Sequence, residues 1–200
     1  MKPIFPGVLR ENQKLFTKGK SKEYWDPYSS KPAAAIMKGL NNFPVKEGQT
    51  ILYLGAAHGT TISHFSNIVG EKGRIYGVEV SEKVIPDLLK KARAKQNIIP
   101  LVEDARFPEN YGWIGPVDLV YEDIAQKDQV AILKRNAQMF LKEGGIVVLA
   151  LKAKAIDSVR SVKEICQEAV REMEDTFEII ETVELDPYER DHLFIVAKLK

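Results

Sequence analysis

Apolar runs alternate with amphipathic helical patterns along most of this chain. Short apolar runs predict strands, and the segments between them repeat apolar residues at steps of three and four, which predicts helices. The predicted strands lie at 50–54, 74–80, 98–102, 117–122 and 146–151. The predicted helices lie at 60–69, 84–95, 128–141 and 156–175. We expect Gly70 to end the first helix and the pair Gly144-Gly145 to end the third.

The alternation of strands and helices predicts a parallel sheet with helices on both faces. Two further strand-like runs, 177–185 and 193–199, follow the last helix and are joined by the segment DPYERDH. A hairpin after five strand–helix steps predicts one antiparallel strand inserted at the sheet edge. The expected fold is α/β and Rossmann-like, with a seven-stranded sheet. We assign this domain to residues 46–200 and a small N-terminal subdomain to residues 1–45.

The helix predicted at 156–175 carries an apolar stripe that we expect to pack in the core, formed by Val159, Val162, Cys166, Ala169 and Met173. Within this stripe the single cysteine is expected to fill space rather than act as a nucleophile. One cysteine excludes an intrachain disulfide, and the histidines lack the spacing of metal ligands, at positions 58, 64 and 192. We therefore expect no bound metal.

Composition limits the class of protein. Hydrophobic residues make up 44% of the 200 residues and charged residues 28%, which suits one α/β domain with a small appendage. No apolar run is long enough to span a membrane, and the stretch MKPIFPGV lacks the apolar segment of a signal peptide. We expect a cytoplasmic protein with no membrane partner.

The formal net charge of +1 conceals an asymmetry. Residues 1–38 contain eight Lys or Arg and three acidic residues, so the rest of the chain is acidic. Aromatic residues stand among the basic ones, namely Phe16, Tyr24, Trp25 and Tyr28. This segment is either an RNA contact, through phosphate binding and base stacking, or a solvated basic surface. The small overall charge indicates that any nucleic-acid role needs a partner.

A small-residue turn provides the strongest chemical signal. The apolar run Ile51–Leu54 leads into Gly55-Ala56-Ala57-His58-Gly59, and a helical pattern follows with Thr60 and Thr61 as cap candidates. A strand, a glycine turn and a helix N-terminus together provide free N–H groups for a nucleotide-sized ligand. The second strand ends near Glu79, where a carboxylate accepts hydrogen bonds from ribose hydroxyls. The pattern predicts an adenosine-containing cofactor, although such a turn is also a common strand–helix connection.

The turn lacks the glycine spacing of a dinucleotide site. Ala57 and Thr60 occupy the positions of the second and third glycines of G-x-G-x-x-G. This disfavours a pyrophosphate and favours a compact zwitterionic group, such as the methionine end of S-adenosylmethionine. Ligands of open α/β sheets bind beyond the carboxyl ends of the strands. Asp104, Asp123 and Lys152 follow three of those ends, and each taken singly could also be a solvated boundary residue.

Five segments resemble the fibrillarin family in its short archaeal form: YLGAAHGTTISH, NIIPLVEDAR, YEDIAQKDQ, LALKAKAID and LDPYERDH. The resemblance extends from about Lys22 to the C-terminus. It implies the fold of S-adenosylmethionine-dependent methyltransferases and 2′-O-methylation of ribose in rRNA and tRNA. It also implies that the chain is the catalytic subunit of a box C/D ribonucleoprotein. The implied partners are a Nop-type scaffold protein, a kink-turn-binding ribosomal-protein-like subunit and box C/D guide RNA.

The resemblance also implies a set of site residues. The cofactor contacts are Gly55, Ala56, Thr60, Thr61, Glu79, Val80, Asp104, Ala105, Asp123, Ile124, Ala125 and Gln126. The catalytic set resembles the Lys-Asp-Lys-Glu tetrad of other 2′-O-methyltransferases and comprises Lys31, Asp123, Lys152 and His192. Asp186 and Asp191 are alternatives for its fourth member.

Two points stay open at this stage. Lys152 either accepts the proton of the 2′-hydroxyl or acts only as an electrostatic guide for it. His58 replaces a small residue of many relatives, and we expect no catalytic role for it. Two other functions also remain as alternatives, a small-molecule O-methyltransferase and a non-catalytic scaffold subunit.

Overall fold

The computed structural model describes residues 1–200 and contains two sheets. The first is a four-stranded antiparallel sheet in which each strand pairs with the next along the chain. Its strands are β1 (Lys2–Phe5), β2 (Val8–Glu11), β3 (Lys14–Lys18) and β4 (Lys22–Trp25). Side chains of β3 and β4 alternate between buried and solvent-facing, as expected for a sheet that covers a core with one face.

The second sheet has seven strands. They are β5 (Thr50–Leu54), β6 (Arg74–Val78), β7 (Ile98–Leu101), β8 (Val117–Glu122), β9 (Leu141–Lys152), β10 (Phe177–Glu184) and β11 (His192–Leu199). Their spatial order is β10-β11-β9-β8-β5-β6-β7. Strand β11 runs antiparallel to both of its neighbours, and the other pairs are parallel. The predicted seven-stranded sheet with one antiparallel strand is confirmed, and that strand lies one position inside the edge.

Helix α1 (Lys31–Met37) links the N-terminal sheet to the larger sheet. The other helices connect strands of the larger sheet and are α2 (Thr60–Val69), α3 (Ile85–Ala94), α4 (Gln129–Phe140), α5 (Ala153–Ile156) and α6 (Val162–Glu174). A 3₁₀ segment covers Pro108–Ile114. None of the helices combines the length and apolar composition needed to cross a bilayer.

The prediction of one helix over 156–175 is wrong. The chain instead forms α5, leaves the helix, and enters α6 at Val162. The carboxylate of Asp157 accepts the backbone N–H groups of Val159 and Arg160 at 2.8 and 3.1 Å, which stabilises a turn. Val159 is 89% exposed rather than part of a core stripe. The buried face of α6 consists of Ile165, Ala169 and Met173.

The glycine pair after α4 also has a different role from the one predicted. Helix α4 ends at Phe140, and β9 starts at Leu141 without an intervening loop. The pairing of β9 with β8 shifts between Leu141 and Ile146, and Gly144 within this irregularity has φ of +67°. The glycine pair therefore allows a bulge in a strand and does not end the helix.

The two faces of the larger sheet bury separate hydrophobic clusters. One cluster extends from the sheet into the N-terminal strands, where it includes Val8, Leu15 and Trp25. The imidazole of His64 on α2 stacks on Trp25 with centroids 5.2 Å apart. Burial lowers the pKa of His64 to about 4, so the ring is neutral at pH 7. The N-terminal sheet shares this core, and the division of the chain at residue 45 stays a prediction.

Candidate active site

The turn from Gly55 to Gly59, called here the cofactor turn, closely approaches the next strand end. Gly55 has φ of +82°, and a Cβ added to it would lie 2.5 Å from the carbonyl oxygen of Asp123. Both constraints require glycine at this position. The backbone N–H of Asp123 in turn donates to the carbonyl of Leu54 at 3.0 Å. The backbone of the cofactor turn therefore packs directly against the start of the loop that contains Asp123.

Most N–H groups of the cofactor turn are already satisfied within the protein. Those of Gly55 and Ala56 donate to the carbonyl of Val78 at 2.9 and 3.0 Å, and that of Ala57 donates to Glu79 at 2.8 Å. The prediction that the turn itself offers free N–H groups to a ligand is therefore wrong for these three residues. The helix cap is Gly59, in the left-handed region, rather than Thr60 or Thr61. The N–H groups that can bind an anion lie in the first turn of α2, where no intrahelical acceptor is available.

Glu79 lies just past the end of β6, as predicted. Its two carboxylate oxygens each accept one backbone N–H at 2.8 Å, from Ala57 and from Ser81. Each oxygen keeps a free lone pair, so the carboxylate is oriented but not saturated. The side chain of Val80 beside it is 61% exposed and offers an apolar contact. This arrangement suits a ribose with its two hydroxyls.

The loop after β7 holds Asp104 and Ala105 next to a buried polar network. The guanidinium of Arg106 donates to Asp104 at 2.6 Å and lowers the pKa of that carboxyl. The side-chain amide of Asn136 donates to the carbonyl of Ala105 at 2.8 Å, and Tyr111 donates its hydroxyl to Asn136 at 2.6 Å. Asn136 is fully buried, and this role was not evident from the sequence, where it is one polar residue in an amphipathic helix.

Lys31 and Asp123 form an ion pair although they lie 92 positions apart. The ammonium group of Lys31 is 2.9 and 3.0 Å from the two carboxylate oxygens. The side chains are 18% and 22% exposed, so the pair is shielded from water but reachable. Lys31 begins α1, and Asp123 directly follows β8. These two predicted residues are brought together at the carboxyl end of the sheet.

Lys152 and His192 lie side by side because β9 and β11 pair in that register. The Nδ1 of His192 is 2.7 Å from the carbonyl oxygen of Arg190, which can only accept, so Nδ1 carries the proton. The Nε2 atom then holds a lone pair. Burial lowers the pKa of His192, so the imidazole is neutral at pH 7. Lys31, Asp123, Lys152 and His192 are called here the four-residue cluster.

The alternatives for the fourth member lie near His192. Asp186 and Asp191 line a groove of about 810 Å³ between α6 and the hairpin of β10 and β11, and His192 lines the same groove. The charge of Asp191 contributes to a raised pKa of Cys166 on α6, although burial is the main cause. His192 is also influenced by the charges of Lys31 and Asp123 and lies opposite Lys152 in the strand register. The geometry thus favours His192.

A hydroxyl network connects α1 to the start of α2. The Oγ of Ser30 lies 2.9 Å from the Oγ1 of Thr61 and accepts a hydrogen bond from the indole N–H of Trp25 at 2.8 Å. The hydroxyl of Thr61 is therefore engaged within the protein, which leaves its backbone N–H for a ligand. Because Ser30 directly precedes Lys31, this network positions that lysine.

Gln129 is the second buried polar residue that sequence reasoning missed. Its side-chain oxygen accepts the N–H of Lys152 at 2.9 Å, and its NH₂ group donates to the carbonyls of Gln126 and Lys152 at 2.7 and 3.2 Å. The residue is completely buried at the first position of α4. It therefore connects the loop after β8 to the backbone of Lys152. The available sequence signal was a second glutamine, Gln129, three positions after the motif EDIAQ.

The acidic pair Glu122-Asp123 divides into two different groups. Glu122 is completely buried without a hydrogen-bond partner, and burial raises its pKa well above the ordinary range. Burial without a partner therefore favours the uncharged form of Glu122. Asp123 points to the opposite face and is paired with Lys31. The charged carboxylate of this motif is Asp123.

His58 lies outside the four-residue cluster. Its Nδ1 is 2.8 Å from the carboxylate of Asp87, and both side chains are more than half exposed, at 62% and 61%. An exposed pair of this kind stabilises a fold very little. The geometry provides no contact through which His58 would act on the candidate site.

Comparison with known proteins extends over nearly the whole chain. Residues 2–200 match the fibrillarin family. The fibrillarin-like rRNA/tRNA 2′-O-methyltransferase of Aeropyrum pernix is 45% identical over 202 residues, which is 100% of this chain and 87% of that protein.

Two solved structures are also similar. The structure of Aeropyrum pernix fibrillarin with natively bound S-adenosyl-L-methionine has a TM-score of 0.81 and 45% identity, covering 97% of this chain and 86% of that one. The structure of a fibrillarin/Nop5p complex has a TM-score of 0.94 and 43% identity, covering 98% of each chain. Together with the geometry of the site, these matches lead to one conclusion: the chain belongs to the fibrillarin family.

Proposed function

We propose that this protein transfers a methyl group from S-adenosylmethionine to ribose 2′-hydroxyls of rRNA and tRNA. The observation that carries the proposal is the ion pair of Lys31 and Asp123 beside the cofactor turn, with Lys152 and His192 in register next to it. Similar proteins support it, since one is named a 2′-O-methyltransferase and another binds S-adenosylmethionine. Membership of the fibrillarin family agrees with the same activity.

The residues at the site fit this cofactor. Glu79 is an oriented carboxylate with free lone pairs for the ribose, and the exposed Val80 provides an apolar contact beside it. The first turn of α2, at Thr60 and Thr61, would hold the methionine carboxylate. When bound, the cofactor supplies a methyl group activated by its sulfonium. The remaining contacts of the proposed site are Gly55, Ala56, Asp104, Ala105, Asp123, Ile124, Ala125 and Gln126.

The four-residue cluster has two tasks: to orient a weak nucleophile and to take one proton. Lys152 is exposed at the end of β9, and it orients the 2′-hydroxyl through its ammonium group. Because Asp123 is engaged by Lys31 through both oxygens, it holds charge in place and is poorly suited to act as a base. In-line positioning of this kind contributes roughly 7–11 kcal/mol in well-oriented reactions.

His192 is the better proton acceptor of the cluster. Burial lowers the pKa of His192 and so favours its neutral imidazole, and the Nε2 lone pair is free of the Arg190 contact. A positioned base contributes about 10²–10⁴-fold to the rate. Lys152 then acts as the electrostatic guide.

We propose that the protein acts within a ribonucleoprotein particle. The fibrillarin/Nop5p complex supports a Nop-type scaffold partner. We further propose that the particle contains a kink-turn-binding subunit and box C/D guide RNA, and that it is located in the cytoplasm. A net charge of +1 is too small for tight RNA binding by electrostatics alone, so guide pairing would select the nucleotide.

The test is tritiated methyl transfer from S-adenosylmethionine to an RNA that matches the guide. The chain alone is compared with the chain plus guide RNA and both partner proteins. We expect incorporation only in the full mixture, and none into a substrate with a 2′-deoxy target. Transfer to a free phenol without guide RNA would instead indicate a small-molecule enzyme. Cofactor binding with no turnover in the full particle would indicate a scaffold subunit.

A further inference from the structure

The solvent-facing side of the N-terminal sheet carries aromatic and basic residues in one array. In β3 the buried residues Leu15 and Thr17 alternate with side chains that face away from the core, and β4 continues this pattern. Trp25 therefore points inward, onto His64, and does not belong to the array. The array is called here the outer face and consists of Leu9, Lys14, Phe16, Lys18, Lys22 and Tyr24.

An apolar row crosses the outer face at right angles to the strands. Leu9 pairs with Phe16, and Phe16 pairs with Tyr24. The rings of Phe16 and Tyr24 meet edge to face with centroids 5.8 Å apart, and Tyr24 is 49% exposed. The ammonium group of Lys22 lies 4.6 Å from the centre of the Phe16 ring. Aromatic rings on a sheet surface with a cation beside them are suited to stacking of unpaired bases.

The charges on the outer face favour an anionic ligand. Lys18 and Lys22 occupy directly opposed positions on β3 and β4. Like charges in that position destabilise a sheet, and a bound anion removes the repulsion. Lys14 adds a third cation, whereas Glu23 of β4 is turned to the other side, where it pairs with Lys95 at 2.9 Å. Glu11 lies opposite Lys14 in the strand register and places one acidic residue on this side of the sheet.

The outer face is also connected to the candidate site. Strand β4 ends at Trp25, and Lys31 begins the next helix. An extended segment from Tyr24 to Lys31 spans at most roughly 25 Å. An RNA strand that enters the four-residue cluster is therefore close enough to continue across this sheet.

On this basis we propose that the outer face binds unpaired nucleotides of the substrate RNA that flank the guide-paired segment. The inference rests on the proposed function, because it assigns a second contact for the same substrate. Stacking on Phe16 and Tyr24 requires unpaired bases, and the lysines contact the phosphates between them. A chain of small net charge would then contribute to substrate binding through a local group of three lysines on one sheet face, Lys14, Lys18 and Lys22.

The experiment uses the complete particle with guide RNA and two substrates. One substrate ends where guide pairing ends, and the other continues as unpaired uridines on both sides. For the wild-type chain we expect the longer substrate to have the lower KM at equal kcat. The double substitution Phe16→Ala and Tyr24→Ala should abolish that difference and leave the shorter substrate unaffected. Trp113→Ala, at another exposed aromatic residue, serves as control.

A second variant keeps both aromatic rings of the outer face and removes its positive charges. The second variant carries three substitutions, Lys14→Gln, Lys18→Gln and Lys22→Gln. For the longer substrate, the slope of log K against log salt concentration should become shallower by about two. The matched control replaces three exposed lysines elsewhere, Lys83, Lys90 and Lys163, by glutamine. The shorter substrate again serves as the internal reference.

Three results overturn the inference while leaving the proposed function intact. They are equal KM values for both substrates, an unchanged KM difference in both outer-face variants, and a change confined to the affinity for guide RNA. A wild-type particle that methylates neither substrate contradicts the proposed function itself. As a direct check, 5-iodouridine in the unpaired flank should crosslink to the peptide that contains Phe16 and Tyr24.

Discussion

The cofactor turn and the four-residue cluster lie side by side but are constructed in different ways. The cofactor turn is a contiguous stretch of five residues whose shape depends on the backbone, through positive φ angles and N–H groups bound to Val78 and Glu79. The cluster consists of side chains from four distant positions. Its members meet because the starts of α1 and of the antiparallel strand β11 lie beside the carboxyl ends of β8 and β9.

This difference determines what each region tolerates. The turn depends on residues that are small enough for close backbone approach, so added atoms should damage it more than lost charge. The cluster depends on charge and hydrogen bonding, so the removal of one functional group should stop the reaction without changing the fold. Glycine at position 55 is where the two meet, because its Cα lies against the backbone of Asp123.

The largest effect is expected in the cluster. Lys152→Ala should lower the single-turnover rate in the full particle by roughly 10²–10³-fold, because the 2′-hydroxyl loses its orienting cation. Cofactor affinity, measured by calorimetry, should stay within about tenfold, or 1.4 kcal/mol. Lys163→Ala, at another exposed lysine, should behave as wild type. Retention of most activity by Lys152→Ala would remove this residue from the mechanism.

Gly55→Ala should damage both regions at once. The added methyl group would lie 2.5 Å from the carbonyl oxygen of Asp123, at a backbone φ of +82°. The free energy of unfolding should fall by on the order of 1–3 kcal/mol, and cofactor affinity should fall with it. Gly48→Ala is the matched control, since Gly48 has φ of +80° with no atom within 4 Å of the added Cβ. Equal effects of the two substitutions would show that the contact with Asp123 is unimportant.

Gln129→Leu should affect the positioning of Lys152 without affecting the binding of substrate. The substitution leaves the N–H of Lys152 without its partner, which costs about 1–3 kcal/mol of stability in a buried place. We expect kcat to fall roughly tenfold because Lys152 is less well positioned. This corresponds to an increase of about 1.4 kcal/mol in the activation free energy. Substrate KM should change little. Gln129→Glu, which keeps the acceptor for Lys152, should recover part of kcat if the role is positioning, and none if the loss reflects instability alone.

The pH profile tests whether His192 is the base. Because burial lowers the pKa of His192 below its ordinary value, the neutral form predominates at pH 7 and is lost only as pH falls through that lowered pKa. The acid limb of the rate should therefore lie below the ordinary histidine pKa of about 6.5, and the rate should change little at neutral pH. In His192→Gln the acid limb should disappear along with most of the rate. An unchanged acid limb in the variant would assign the limb to another group.

The smallest effect is expected at His58. Its ion pair with Asp87 is exposed, so His58→Ala should change the thermal midpoint and the turnover only within experimental error. Thermal unfolding and methyl transfer measured on the same preparation check this. A clear loss of cofactor affinity would mean that His58 stabilises the cofactor turn, and that side chains as well as backbone shape this region.

Local sequence was sufficient where structure depends on neighbouring residues. The strand before Gly55, the helix after it and the placement of Glu79 at the second strand end all follow from short-range pattern and turn chemistry. The same reasoning failed at residues 156–161, where apolar spacing continued across a turn made by Asp157. It also misassigned Gly144-Gly145, because a bulge and a helix end both favour glycine.

The sequence by itself determined the alternation of elements, the presence of a cofactor turn and, through resemblance to a family, the residues worth examining. Only the tertiary structure decided which of them meet. The ion pair of Lys31 with Asp123, the burial that keeps His192 neutral and the hydrogen bonds of Gln129 to Lys152 all depend on strand order and register. The physical reason is that charge, burial and hydrogen bonding at a site depend on distances in space, and residues far apart in the chain acquire those distances only when the sheet forms.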